Sequence, residues 1–231
     1  MKIDLTEIYK GLAEWRAERG ITAESQKAGY IVNVMEELGE LAQALRDYEK
    51  IKNGERALRA GTFDIKSTLG EMIIFEGTTK GEIEITLEKA EHEIIDALCD
   101  ISVFTINAGA DIPCAKKDLE THTGQLKASF AMLIEACAIF AQDKEYSTVD
   151  YIAEVKAFEY HIFFNDILHI CACLAYDYGY NFEVAMIETI KEISSRTGAY
   201  DEKAKKWVKD ESDEARAKWY KADYEKARIK Q

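Results

Sequence analysis

Helix breakers are nearly absent from this sequence, and that scarcity limits the possible fold more than any other feature. Pro113 is the single proline among 231 residues, and only 13 glycines accompany it. Proline removes a backbone donor and blocks the preceding helical turn, while glycine in a helix costs roughly 1 kcal/mol relative to alanine. Ala, Glu, Lys and Leu, which favour helices, are abundant. The sequence therefore predicts an all-α protein, a helical bundle.

Hydrophobic periodicity gives the order of the predicted elements. A first helix runs through Ile8, Leu12 and Trp15. Further helices are predicted, with approximate bounds, at 24–50, 87–110, 116–142, 149–178 and 182–196, and a charged amphipathic helix ends the chain. Residues 62–86 instead carry β-rich runs around a polar, glycine-containing loop, which predicts a β-hairpin. The preceding segment KNGERALRAG predicts a short helix between turns.

No linker rich in Pro, Gly or Ser divides the chain. We therefore expect one domain, 1–231. Within it, residues 51–86 would be an insertion and residues 201–231 a basic helical tail. That tail carries ten lysines and arginines against eight acidic residues, in a chain whose net charge is −13.

The acidic net charge excludes several classes of partner. Nucleic-acid polymers and anionic membranes are bound through basic surfaces, so neither is an expected partner. An acidic protein still binds a polyphosphate when a divalent metal ion lies between the two. The tail 201–231 would supply cations to such a site.

The cysteines and the N-terminus indicate a reducing compartment. The five cysteines are Cys99, Cys114, Cys137, Cys171 and Cys173, and none forms a CxxC motif. Their odd number and apolar surroundings predict small buried thiols. The start MKIDLTEIYK does not resemble a signal peptide, and no apolar stretch is long enough to span a bilayer. We expect a cytoplasmic protein.

Two predicted helices carry stripes of carboxylates. With about 100° per residue, the helix 24–50 separates an apolar face from a polar one. The apolar face holds Ile31, Val34, Leu38, Leu41 and Leu45. The polar face holds Gln26, Asn33, Glu37 and Glu40, with Glu36 at its margin. On the helix 87–110, the polar face holds Glu93, Asp96, Asp100 and Asn107.

Carboxylates three residues apart on a helix present their oxygens to one point in space, so two such helices side by side would offer four or five oxygen ligands. Mg²⁺ and Mn²⁺ prefer such sites. The alternative is that each stripe is an ordinary solvated face. Two features favour a metal site: amides rather than Lys or Arg interleave the acids, and the second stripe lies in a strongly hydrophobic helix.

These residues resemble a known family. EELGEL at 36–41, followed by EIIDALCD at 93–100, is similar to the EExxE…ExxD signature of the all-α NTP pyrophosphatases, which include MazG-like enzymes and the dimeric dUTPases. WRAERGIT and Gln26 resemble the family's first helix and the entry to its second. YGYNFEVAMIETIKEISSRTG and KKWVKD resemble the C-terminal part of phage-type MazG-like proteins. One departure is that 52 residues separate Glu40 from Glu93, where the family has a short gap.

The resemblance implies a bundle of that family's type and an enzyme that uses Mg²⁺, or Mn²⁺, to cut nucleoside triphosphates into monophosphate and pyrophosphate. The residues that match the family's metal ligands are Glu37, Glu40, Glu93 and Asp96. Glu36 or Glu40 would take the proton of the attacking water, and Asp100 would lie one layer behind the ligands.

The same resemblance implies how the substrate is held. Gln26, Asn33 and Asn107 would hydrogen-bond the sugar or base. Lys191 and Arg196 would bind the leaving pyrophosphate, with Lys206 and Lys209 behind them. A homo-oligomer, a dimer or a tetramer, is expected, because family members complete their site with a partner subunit. Two alternatives stay open: a dUTP diphosphatase, and a non-catalytic helical interaction or regulatory protein that retains a metal site.

Overall fold

Long helices form most of the structure, in the predicted order. A computed structural model describes residues 2–69, 72–109, 118–120, 150–201 and 206–230. Its longer helices are α1 (Thr6–Arg19), α2 (Ala23–Lys52), α3 (Leu87–Ala108), α4 (Asp150–Asp177) and α5 (Phe182–Ser195). The mainly helical class is confirmed. The predicted helix 116–142 lies outside the described residues, apart from 118–120, which form a strand rather than a helical turn.

Three small two-stranded antiparallel sheets accompany these helices in the described part of the chain. They pair β1 (Lys2–Asp4) with β4 (Asp118–Glu120), β2 (Ala57–Leu69) with β3 (Met72–Ile85), and β5 (Gly198–Asp201) with β6 (Lys206–Lys209). The predicted hairpin is therefore present, and it begins earlier than expected.

The short helix predicted for KNGERALRAG is wrong. Helix α2 continues to Lys52, and Gly54 then adopts a positive φ of 80°, a left-handed conformation that reverses the chain. Strand β2 follows from Ala57, which is buried against Ile85 and Ala90. Because these side chains are buried together, the segment from Ala57 forms a strand of the sheet rather than a short helix.

Side-chain caps fix where three helices begin. Thr22 accepts from the Ser25 amide, Thr86 from the Lys89 amide, and Asn181 from the Val184 amide. Each cap satisfies a backbone donor that the first helical turn leaves unpaired, which contributes about 1 kcal/mol. The caps fix the first residues of α2 and α3. They therefore help to determine which side chains of one helix lie opposite which side chains of the other.

Helix α3 is central to the hydrophobic core. Its residues Ile94, Leu98 and Ile101 are buried, and it packs against α1, α2, α4 and α5. Val34 and Leu41 of α2 belong to the same core. The apolar residues of the two stripe-bearing helices therefore belong to one core, and the two helices pack directly against each other.

The basic helical tail predicted for 201–231 is wrong. Its described residues form strands of the β5–β6 hairpin, a four-residue helix α6 (Asp213–Arg216) and a 3₁₀ turn (Tyr224–Ala227). Trp207 lies over the Arg19 guanidinium at 5.0 Å, and Tyr224 is buried. These contacts with the rest of the molecule outweigh the local helix preference.

Two further expectations concern thiols and membranes. Cys99, Cys171 and Cys173 are buried, as predicted, and Cys114 and Cys137 lie outside the described residues. Among the helices of the described ranges, none is long and apolar enough to cross a membrane.

Candidate metal centre

Carboxylates of α2 and α3 act on one another electrostatically where the two helices lie side by side. We call six of them the acidic cluster: Glu36, Glu37, Glu40, Glu93, Asp96 and Asp100. Burial raises the pKa of Glu37 from 4.5 to about 7, with further contributions from the charges of Glu40, Asp96 and Glu36. The interaction with Asp96 crosses from one helix to the other, so both stripes contribute to one electrostatic environment.

The pKa of Glu40 is likewise affected by acids of both helices. Its pKa is raised first by burial and then by the charges of Asp96, Glu36 and Glu93, while Arg59 acts in the opposite direction. Glu40 is an exposed residue. Glu40 is therefore accessible from solvent and coupled to the acids of α3.

Asp96 and Asp100 occupy the more buried side of the cluster. Burial raises the pKa of Asp96, while the hydrogen bond that Tyr224 donates to its Oδ1 at 2.5 Å lowers it. Asp100 has a pKa well above its ordinary value, because it is buried and lies near Asp96 and Glu37. Asp100 is half-buried, like Asp96, and the prediction that it lies one layer behind the metal ligands stays a prediction.

Two arginines supply positive charge to the cluster. Arg196 lowers the pKa of Glu37, Asp96 and Asp100, and its Nη2 donates to Glu192 Oε1 at 2.9 Å. Arg59, from β2, has its Nη2 2.6 Å from Glu93 Oε2. Even with these cations nearby, burial and the neighbouring carboxylates keep the pKa values of four cluster acids raised, so ionising all of them together is unfavourable without a further cation.

The carboxylates of the acidic cluster lie in one region, but their oxygen atoms do not converge on one point. Within the described residues, only Glu88, His92 and Glu225 place three ligand atoms within 4.8 Å of one another. That trio is an unfavourable cation site, because Arg228 already binds Glu225 at 2.6 Å. Glu93 and the other predicted ligands need side-chain rotation to converge on a cation. Their donor set, carboxylate oxygens alone, suits a hard cation such as Mg²⁺ or Mn²⁺.

The predicted substrate contacts have varied surroundings. Gln26 and Asn33 are half-buried on α2. Asn107 is fully buried, and its Oδ1 accepts from Arg16 Nη1 at 2.5 Å. Its Nδ2 is also buried and has no hydrogen-bond partner among the residues that the structure describes. Asn107 therefore binds the half-buried Arg16 and is itself shielded from solvent.

The residues predicted to bind phosphate also lie in different parts of the structure. Arg196 lies beside the cluster, as described above. Lys191 instead has its Nζ 2.6 Å from Glu188 Oε1, and Glu188 also interacts with Lys226. Lys209 is exposed on β6, and the Lys206 side chain lies outside the described part of the structure.

A cleft of about 450 Å³ opens beside Glu93 and Asp96. Its other walls include Glu192, Lys221 and Tyr224. Sequence reasoning missed these three, and it also missed Arg59. Glu192 was detectable, because it lies one helical turn before Arg196. Tyr224 and Lys221 follow no repeat or spacing that links them to the acids.

Comparisons with protein-family models, with curated proteins and with solved structures found no match. The resemblance to the all-α NTP pyrophosphatases therefore stays a prediction from the motifs alone.

Proposed function

We propose that the acidic cluster binds Mg²⁺, or Mn²⁺, and that the protein hydrolyses nucleoside triphosphates to monophosphate and pyrophosphate. The observation that supports this most is the simultaneous rise in the pKa of Glu37, Glu40, Asp96 and Asp100. Two helices hold these acids together despite repulsion and burial, both of which oppose ionisation. A divalent cation would offset that cost, and the motif order matches the all-α NTP pyrophosphatases.

Roles follow from where the acids lie. Glu37, Glu40, Glu93 and Asp96 would hold the cation, with Glu93 exchanging Arg59 for it. A bound divalent ion supplies charge neutralisation at the phosphates and lowers the pKa of a coordinated water. Of the two acids suggested as the base, Glu40 is better supported than Glu36, because its charge interacts with Glu93 and Asp96 as well as with Glu36.

The phosphates would be bound by Arg196 and Lys221 rather than by Lys191. Lys221 lines the cleft, its side chain is 80% exposed, and its Nζ is 4.0 Å from Glu192. A lysine so placed turns readily toward a new anion. Lys191, by contrast, is held by Glu188.

Self-association is part of the proposal. Val32 and Met35 of α2 are 71% and 57% exposed, and their spacing of three residues puts both apolar side chains on one face of the helix. A dimer or tetramer would cover them. Multi-angle light scattering of the protein and of Val32→Lys tests this, and an unaltered protein that is monomeric at micromolar concentration would contradict it.

The decisive experiment for the proposed activity is a panel of NTPs and dNTPs assayed for pyrophosphate release with Mg²⁺. We expect release that requires the metal and is lost in Asp96→Asn. Glu49→Gln is the matched control, because Glu49 lies on the same long helix as Glu40 and is exposed. Release from dUTP alone would identify a dUTP diphosphatase. No release from any nucleotide, with Mn²⁺ still bound, would favour the non-catalytic alternative.

A further inference from the structure

The segment Trp219–Arg228, which we call the C-terminal strap, is anchored on both sides of Tyr224. On one side, the Ala222 amide donates to Glu192 Oε2 at 2.8 Å. On the other side, Arg228 Nη2 donates to Glu91 Oε2 at 3.0 Å. These anchors attach the strap to α5 and α3, so its backbone is fixed relative to the acidic cluster.

Tyr224 is the point at which the strap reaches the cluster. The residue is 5% exposed, and its hydroxyl donates to Asp96 Oδ1 at 2.5 Å. The Tyr224 hydroxyl oxygen also lies 3.0 Å from Thr189 Oγ1, which itself donates to the Ala185 carbonyl. The phenol is thus held between α3 and α5, with its proton directed at one carboxylate oxygen.

That hydrogen bond leaves Asp96 Oδ2 for another partner. Carboxylates that ligate metals are commonly hydrogen-bonded at one oxygen, and losing such a supporting partner typically weakens metal binding 10–100-fold. A carboxylate without it would rotate about its side-chain torsions and move away from its neighbours, since like charges repel.

We propose that Tyr224 is a positioning residue that holds Asp96 beside Glu37 and Glu40, which makes the C-terminal strap a required part of the metal centre. This inference rests on the proposed function. It adds a residue from the end of the chain, about 130 positions from the motif that suggested Asp96.

The test compares two conservative substitutions. Tyr224→Phe removes the donor and keeps the buried ring, whereas Thr189→Val removes the other neighbour of the phenol and leaves the bond to Asp96. Titration with Mn²⁺, followed by electron paramagnetic resonance of the free ion, gives Kd without any turnover. We expect Tyr224→Phe to raise Kd by about 10-fold or more and Thr189→Val to change it less than about twofold.

A second measurement guards against a general loss of stability. Saturating Mn²⁺ should raise the melting temperature of Thr189→Val as much as that of the unaltered protein, and that of Tyr224→Phe clearly less. Unaltered Mn²⁺ affinity in Tyr224→Phe would overturn the inference and leave the proposed function standing. Equal losses in both variants would also overturn it, because they would reflect packing around the phenol. No Mn²⁺ binding by the unaltered protein would overturn the metal centre and the inference together.

Discussion

Glu40 and Asp96 allow charge to be removed with little change in side-chain shape. We predict that Glu40→Gln or Asp96→Asn lowers Mg²⁺-dependent pyrophosphate release by about 10²–10³-fold, as expected for losing one electrostatic group from a catalytic site. Without metal, the fold should be unchanged or more stable, because repulsion within the cluster decreases. Steady-state kinetics and circular dichroism melts in EDTA measure the two effects.

The control for this pair is again Glu49→Gln, which should retain both activity and melting temperature. A Glu40→Gln protein that fails to fold would identify a structural residue. Full activity in that variant would remove Glu40 from the metal site.

Lys221 gives a second prediction at the residue scale. Lys221→Ala should raise the apparent KM for the nucleotide about tenfold and lower kcat much less, because a phosphate contact made in ground and transition states alike affects binding uniformly. Lys221→Arg should restore most of the affinity. Lys218→Ala, an exposed lysine just before the strap, is the control. A kcat loss without a KM change would contradict a binding role.

At the scale of elements, one arginine joins the β2–β3 hairpin to both cluster helices. Arg59 Nε is 2.6 Å from Asp47 Oδ2 on α2, and its Nη2 is 2.6 Å from Glu93 Oε2 on α3. Asp47 is 1% exposed, so removing its cation leaves a buried charge whose remaining hydrogen-bond partner in the described part of the chain is the Gln43 amide. Through Arg59, the hairpin therefore contributes to the packing of α2 against α3.

We predict that Arg59→Gln lowers the free energy of unfolding by about 1–3 kcal/mol, the usual range for leaving a buried group unsatisfied. Urea denaturation followed by circular dichroism measures it. Arg56→Gln on the same hairpin is the control, because the Arg56–Glu84 pair is exposed, and it should leave the denaturation midpoint unchanged. Equal midpoints for all three proteins would mean that Asp47 does not depend on Arg59.

The elements that sequence could predict are those fixed by local pattern. Helices α2 and α3 begin within a residue of their predicted starts, because an apolar stripe and a capping threonine both lie in the contiguous sequence. The strap and Arg59 had no such signal. Tyr224 reaches Asp96 through packing between distant parts of the chain, and that information is not in any short window.

The candidate site likewise contains residues that the sequence could predict and residues that it could not. Regular helical spacing predicted which acids share a face, and packing of α2 on α3 brought Glu37 and Asp96 into interaction. The groups that offset this charge, Arg59 and the Tyr224 hydroxyl, come from the hairpin and the C-terminus. Their contribution depends on tertiary structure, so it could only be seen once the helices were placed.

The molecule as a whole carries two sets of acids whose pKa values move in opposite directions. Burial acts on Glu188, yet hydrogen bonds from Lys191 and other donors lower its pKa to about 2. Hydrogen bonds from Arg228 and His92 likewise lower the pKa of Glu225 to about 2. Such acids stabilise the fold above their unfolded pKa near 4.5, and that stability is lost as the pH falls toward 2.

The acidic cluster affects the free energy of unfolding at higher pH, between about 4.5 and 7. Because the pKa of Glu37 rises from 4.5 to about 7 on folding, the folded protein binds more protons than the unfolded chain in that window. The free energy of unfolding then falls as the pH rises, and levels off above about 7. The pKa values of Glu40, Asp96 and Asp100 shift in the same direction.

We therefore predict that the metal-free protein melts at a higher temperature at about pH 5.5 than at about pH 7.5. Glu37→Gln should remove much of this difference, because the substituted side chain does not titrate. Saturating Mg²⁺ should stabilise the protein more at the higher pH, where the carboxylates are ionised and available to the cation. Differential scanning calorimetry in EDTA and in Mg²⁺ measures all three. A melting temperature that rises with pH across this window without metal would show that the cluster acids ionise freely, and would remove the electrostatic basis for the proposed metal centre.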